Sequence, residues 1–155
     1  MINLEENERI DDLEINGLKI VQNEKWFCFG VDAVLLSDFA KKMKKGAKLL
    51  DLGTGTAIIP ILLSAKTDFE KAVGVEVQEE LCKMARKSVM LNGLENKIEI
   101  LCKNIKELNE NFEKNTFDVI VTNPPYKKER SGIINENIQK VISRHEIEAN
   151  LEDFI

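Results

Sequence analysis

The sequence predicts an α/β protein built on a parallel sheet, and three observations carry that prediction. Short, nearly continuous apolar runs recur at Leu49–Leu52, Ala72–Val75, Ile98–Leu101 and Phe117–Val121. Segments of helical periodicity alternate with them. A glycine turn, Gly53-Thr54-Gly55, leads directly from the first run into the first of those helices. Runs that are apolar on both faces belong in parallel sheets covered by right-handed crossovers, whereas strands with one wet face alternate in polarity. Function is then expected beyond the carboxyl ends of the strands.

Residues 1–46 are expected to form an N-terminal hairpin-and-helix extension. Leu13, Ile15, Leu18, Ile20 and Val21 surround Asn16-Gly17, a pair that favours the φ > 0 turn of a hairpin. Trp26, Phe27 and Phe29 follow as a dense aromatic cluster. At Asp32 the period becomes helical, with Val34, Leu35, Leu36 and Phe39 as the apolar stripe and Asp32 as the expected cap. Lys41, Lys42, Lys44 and Lys45 occupy the end of that helix, before Gly46.

Residues 47–155 are expected to form the main, partial domain. Its strands are the four runs above, joined by helices over about 56–65 and 78–91 and by a short helix or turn over 105–108. After Pro125 comes a polar loop, then helical segments at 136–144 and 146–154. The chain ends inside an apolar-periodic segment, so a longer protein is expected, and an uncovered edge on the fourth strand is a surface for self-association.

A chain of 155 residues that is 43% hydrophobic and 32% charged has the composition of an ordinary globular protein and not of a disordered one. Twenty-seven acidic and 22 basic residues leave a formal charge of -5, so a polyanionic partner has to be held by local patches. Cys28, Cys82 and Cys102 form no CxxC pair and read as buried thiols of a reducing compartment, and no metal-ligand set stands out. The N-terminus lacks the order of a signal peptide and no run of 18 apolar residues occurs, which predicts a cytoplasmic protein with no membrane partner.

The candidate chemistry begins at the glycine turn. Gly53 and Gly55, with Thr54 between them, can adopt φ > 0 and bring backbone N–H groups to a ligand at the positive end of a helix. Ile58 stands where a dinucleotide fingerprint has its third glycine, and the Lys-Ser/Thr of a P-loop is missing. Asp51, just before the turn, suits the cationic amino-acid end of S-adenosylmethionine and would repel a diphosphate. Glu76 ends the second run about twenty residues further on, where a carboxylate accepts from both hydroxyls of a ribose. Asn104, after the third run, stands where an adenine ring could be reached, and its amide both donates and accepts.

Thr122-Asn123-Pro124-Pro125-Tyr126, after the fourth run, is the most informative segment. Consecutive prolines make a stiff wall. The Asn123 side-chain oxygen and the Pro124 carbonyl offer two acceptors, and Tyr126 offers a face on which a planar group stacks. Two acceptors and a ring fit a planar NH₂, whose lone pair is freed when both N–H bonds are drawn toward acceptors. Alignment beside an electrophilic methyl then does most of the catalysis, without a strong general base. Pro125, Lys127, Lys128 and Arg130 extend the candidate substrate surface, and the lysines at 41–45 are a second basic cluster, although solvation alone explains both clusters almost as well.

Asp51-Leu52-Gly53-Thr54-Gly55, Glu76 and Asn123-Pro124-Pro125-Tyr126 together resemble the class I S-adenosylmethionine-dependent methyltransferases of exocyclic amino and amide nitrogens. Residues 27–37, Phe-Cys-Phe-Gly-Val-Asp-Ala-Val-Leu-Leu-Ser, and Ser143-Arg144-His145-Glu146 are similar to the bacterial tRNA adenine-N6 methyltransferases that act beside the anticodon of a valine tRNA, some of them described as O-methyltransferases. The resemblance implies a Rossmann-like fold with strands in the order 3-2-1-4 and the last three strands absent. It also implies S-adenosylmethionine as cofactor, with Gly53 and Gly55 at its methionine part and Glu76 at its ribose. The target would be an RNA adenine, held by Asn123 and Tyr126. Asn104 departs from the family, where an aspartate is usual. A protein glutamine amide as acceptor and a non-catalytic cofactor-binding fragment stay open as alternatives, and a nicotinamide dehydrogenase is disfavoured by the incomplete dinucleotide signature.

Overall fold

The computed structural model describes residues 2–26 and 28–124. Phe27, Pro125, Tyr126, Lys127, Lys128, Arg130, His145 and the helices expected after residue 135 lie outside the described residues.

The chain opens with a hairpin, β1 (Glu8–Asp12) and β2 (Lys19–Asn23), paired antiparallel. Asn16 and Gly17 both have positive φ, and the Leu18 N–H donates to the Ile15 carbonyl at 2.9 Å, closing the expected turn. Helix α1 (Val31–Ala40) follows. A four-stranded parallel sheet then forms from β3 (Lys48–Leu52), β4 (Lys71–Glu76), β5 (Ile98–Cys102) and β6 (Val119–Thr122), in the spatial order β5-β4-β3-β6. This is the predicted order 3-2-1-4. Helix α2 (Ile58–Lys66) connects β3 to β4, α3 (Glu79–Leu91) connects β4 to β5, and a 3₁₀ helix (Ile105–Glu110) lies before β6.

The sheet is covered on both faces, with α1, α2 and α3 on one and the short 3₁₀ helix on the other. Leu49, Ala72, Ile98, Ile100 and Val121 point to the first, packing with Ala33 and Ala40 of α1, Ile58, Ile61 and Leu62 of α2, and Cys82, Ala85 and Val89 of α3. Leu50, Leu52, Val73 and Val75 point the other way and are covered by Leu101, Ile105, Leu108, Phe112 and Phe117. The period of two along a strand explains how one apolar run feeds two cores. Phe117, expected in the last strand, instead stands before it and meets Phe112 edge to face at 4.9 Å between ring centroids.

Three further expectations are corrected. Of the expected α1 stripe, Val34 and Leu36 pack against the core, whereas Leu35 and Phe39 are 62% and 76% exposed and the fully buried residues are Ala33, Ser37 and Ala40. Small residues let α1 lie close against its neighbour α2. Trp26 and Phe29 do not share a cluster: Trp26 packs with Val21, Leu81 and Met84, while Phe29 joins the main core. Asp32 is not the cap of α1, since Gly30 holds that position without a side-chain hydrogen bond.

The hairpin is tied to α3 by polar side chains. The Val21 N–H donates to Ser88 Oγ at 2.9 Å, the Lys19 N–H donates to Asn92 Oδ1 at 2.9 Å, and Asn92 Nδ2 donates to the Lys19 carbonyl at 2.7 Å. Asn92 thereby pairs with β2 as another strand would. Among the described residues no helix is long and apolar enough to cross a membrane.

Candidate active site

The site is built where β3, β4 and β6 end side by side. Leu52 is the register partner of Val75 on one side and of Thr122 on the other. Thr122 Oγ1 also donates to the Leu52 carbonyl at 2.9 Å. Gly53 and Asn123 therefore each follow one member of the last register pair of two adjacent strands, which lie about 4.8 Å apart.

The glycine turn takes its shape from alternating backbone conformations. Gly53, Gly55 and Ala57 have φ of 72°, 58° and 68°, and the left-handed Ala57 delays the start of α2 to Ile58, two residues later than expected. The positions a Cβ would occupy on Gly53 and Gly55 face open space. The N–H groups of Gly53 and Thr54 both donate to the Val75 carbonyl at 2.9 Å, which fastens the turn to β4. Gly74 makes this contact possible, because a Cβ there would lie 2.8 Å from Thr54 side-chain atoms. An isolated glycine inside an apolar strand signals such close approach, and that was the available clue to a residue the motif reading passed over.

Two carboxylates flank the turn. Asp51 is fully buried; Thr54 Oγ1 donates to its Oδ2 at 2.7 Å, while Oδ1 has no hydrogen-bond partner in the structure. Burial pushes the Asp51 carboxyl up to about 7, the Thr54 hydroxyl opposes that, and the nearby charge of Glu76 adds to it. Glu76 is also buried, and its carboxylate gathers backbone donors: Oε2 accepts from Gly55 at 3.1 Å, and Oε1 accepts from Val77 and Gln78 at 2.9 Å each. Glu76 thus bridges the glycine turn and the start of α3. Gln78, the residue before α3, has a buried Nε2 with no hydrogen-bond partner.

Asn104 stands before the 3₁₀ helix, where its Oδ1 accepts from the Lys106 N–H at 3.0 Å. That bond turns its acceptor end toward its own loop. Cys102, expected in the core, is half-buried beside Cys82, whose Sγ–H donates to the Glu76 carbonyl at 3.3 Å. Burial pushes the Cys82 thiol up. Of the cationic cluster at the end of α1, Lys41, Lys44 and Lys45 pair with Asp38, Asp118 and Asp68 at 3.3, 2.7 and 3.2 Å. Asn123 is half-buried, and its Nδ2 donates to Asp32 Oδ2 at 2.6 Å, a contact between residues 91 apart. The site as described brings together Asp51, Gly53, Thr54, Gly55, Glu76 and Asn123; Asn104 lies at the next strand end and Pro124 follows Asn123.

Residues 28–146 match the methyltransferase small domain model. The chain is 30% identical over 131 residues to the tRNA1(Val) (adenine(37)-N6)-methyltransferase of Porphyromonas gingivalis, covering 81% of this chain and 51% of that protein. It is 27% identical over 96 residues to the rRNA N(6)-adenosine-methyltransferase metl-5 of Caenorhabditis elegans, covering 61% of this chain and 45% of that one. The chain thus spans about half the length of the curated relatives it matches. Among solved structures, the SAM-dependent methyltransferase from Agrobacterium tumefaciens superposes with a TM-score of 0.56 at 19% identity, over 79% of this chain and 41% of that one. A parallel sheet in this order, a glycine turn between two buried carboxylates and a family match over most of the chain agree: the fold is that of the class I S-adenosylmethionine-dependent methyltransferases, and the chain belongs to the methyltransferase small domain family.

Proposed function

We infer that this chain is the cofactor-binding part of an RNA methyltransferase that places a methyl group on the exocyclic N6 of adenine, with tRNA as the substrate RNA. The observation that carries the reading is that Gly53 and Asn123 each follow one member of the last register pair of adjacent strands β3 and β6. The names of the curated relatives, adenine-N6 methyltransferases of tRNA and of rRNA, favour adenine over a glutamine amide as acceptor.

The residues fit S-adenosylmethionine. The unpartnered Oδ1 of Asp51 is an acceptor for a cationic ammonium, and a buried carboxyl pushed up to about 7 becomes ionised when that cation arrives. Glu76 would hold the ribose, exchanging its hold on the Gly55 N–H for hydroxyl donors or sharing it. Open space over Gly53 and Gly55 would receive the methionine part. The Asn104 amide NH₂ is the end turned away from the Lys106 N–H, and it would serve a ring nitrogen of the cofactor adenine better than its amine. When bound, the cofactor supplies an electrophilic methyl on a sulfonium.

Asn123 and the Pro124 carbonyl would accept from the two N–H bonds of the target amine, and Tyr126 would stack on its ring. Pro125, Lys127, Lys128 and Arg130 would continue that surface toward the RNA backbone. The proton leaves after transfer, when the methylated nitrogen is acidic. Labelled methyl transfer from S-adenosylmethionine into total RNA and total protein tests the reading. Label is expected in RNA, and Asn123→Ala is expected to abolish it while cofactor affinity is retained. Label appearing in protein alone would replace adenine by a glutamine amide.

A further inference from the structure

We propose that Asp32, at the start of α1, is a positioning residue that sets which end of the Asn123 amide faces the acceptor nitrogen; the proposal rests on the amino-methylation reading above. A carboxylate only accepts hydrogen bonds, whereas an amide has one donating and one accepting end. Because Asp32 Oδ2 takes the Nδ2 of Asn123 at 2.6 Å, the carbonyl oxygen of Asn123 occupies the opposite edge of the amide, away from the carboxylate. An incoming NH₂ group needs that carbonyl end. Turned over, Asn123 would present its own NH₂ to the acceptor, donor against donor. The contact is also charge-assisted, and an amide that donates to a carboxylate is polarised so that its oxygen accepts more strongly.

A second observation shows that the carboxylate is seated. A Cβ placed on Gly30 would come within 2.6 Å of Asp32 Oδ1. Gly30 has extended backbone, φ -112° and ψ -174°, so its lack of a side chain is not required by conformation. The room left by that missing side chain is occupied by the Asp32 carboxylate, with one oxygen over Gly30 and the other on Asn123. The segment Gly30-Val31-Asp32 thus places one charged group 91 residues away in sequence from the amide it holds.

Three variants of the full chain test this: D32L, D32N and G30A. Two readouts are used, the side-chain amide signals of Asn123 in ¹⁵N spectra, identified by their loss in N123A, and methyl transfer to RNA with kcat and KM for S-adenosylmethionine separated. D32L is expected to move the Asn123 amide signals and to lower kcat about 10- to 100-fold, the scale of a misplaced reacting group, with KM for the cofactor and the melting temperature unchanged. D32N, which keeps an acceptor oxygen but can pair in either sense, is expected between D32L and wild type. G30A is expected to act in the same direction as D32L, since among the described residues beyond its chain neighbours its methyl meets the Asp32 carboxylate. D32L turning over at the wild-type rate, or losing activity only through KM or melting temperature, overturns the positioning role. A wild-type chain that binds S-adenosylhomocysteine but transfers no methyl to any RNA overturns the acceptor reading, and the catalytic consequence of Asp32 falls with it even where the amide signals move.

Discussion

At the carboxyl end of β3 one side chain is under opposing demands. Asp51 is buried without a partner for Oδ1, and its carboxyl is pushed up from 3.8 to about 7 mainly by burial. Between those values the folded chain binds more protons at this position than the unfolded chain does. Stability contributed by Asp51 is therefore lost as pH rises from 3.8 toward about 7. Asp51→Asn is expected to flatten that fall, measured as melting temperature across the interval for both proteins. A wild-type profile that rises with pH over the same interval, with the variant parallel to it, would mean that Asp51 ionises freely in the fold. The same group gives the cofactor site a pH dependence of opposite sense: affinity for a cationic ligand is expected to rise as pH passes about 7, because an ionised Asp51 is what the cation needs. The placement of Asp51, Gly53, Gly55 and Glu76 at strand ends was legible in the sequence because a turn between a strand and a helix is local. The partner of Asn123 was not, because Asp32 is 91 residues away and reads, beside Gly30, as a helix cap.

The elements differ in how far their patterns describe them. Strand β4 is read correctly as a buried strand, but the reason for Gly74 inside it lies in the neighbouring turn, whose Thr54 fills the space a side chain would take. Gly74→Ala is expected to destabilise the chain by about 1–3 kcal/mol, the usual cost of overpacking, and to weaken cofactor binding together with stability. Urea midpoints and calorimetric titration with S-adenosylhomocysteine check both. A fully stable Gly74→Ala would show that the turn gives way without cost. Helix α1 shows the reverse. Half of its expected stripe, Leu35 and Phe39, is exposed, while Val34 and Leu36 join the small residues Ala33, Ser37 and Ala40 in the contact with the core. Large apolar residues mark a buried face only when an element is available to cover them, and periodicity does not report distance between helices. For the hairpin, the Asn16-Gly17 turn was legible, whereas its docking through Ser88 of α3 and Asn92 just after it depends on side chains that no pattern distinguishes from solvated ones.

Across the whole molecule the charge is -5, so an RNA reading requires a local basic surface. In the α1 cluster Lys41, Lys44 and Lys45 lie beside acidic neighbours that offset their charge. Lys127, Lys128 and Arg130 are then the residues to test. Replacing all three by alanine is expected to weaken RNA binding alike for all sequences and to reduce the slope of log K against log salt by about 0.7 for each phosphate that is no longer neutralised. Filter binding over a salt series measures the slope, and an unchanged slope would assign the phosphate-binding role to other residues.

By itself the sequence determined the class of fold, the order of strands and helices, and the turn residues at each strand end, because these follow from local periodicity and from the conformations open to glycine, asparagine and proline. Only the tertiary structure decided that α1, α2 and α3 share one face while the 3₁₀ helix covers the other, that Gly74 makes room for Thr54, and that Asp32 holds Asn123. Those facts arise where segments distant in the chain compete for the same few ångströms. A one-dimensional pattern records which residues are apolar or acidic, and the folded chain decides which of them meet.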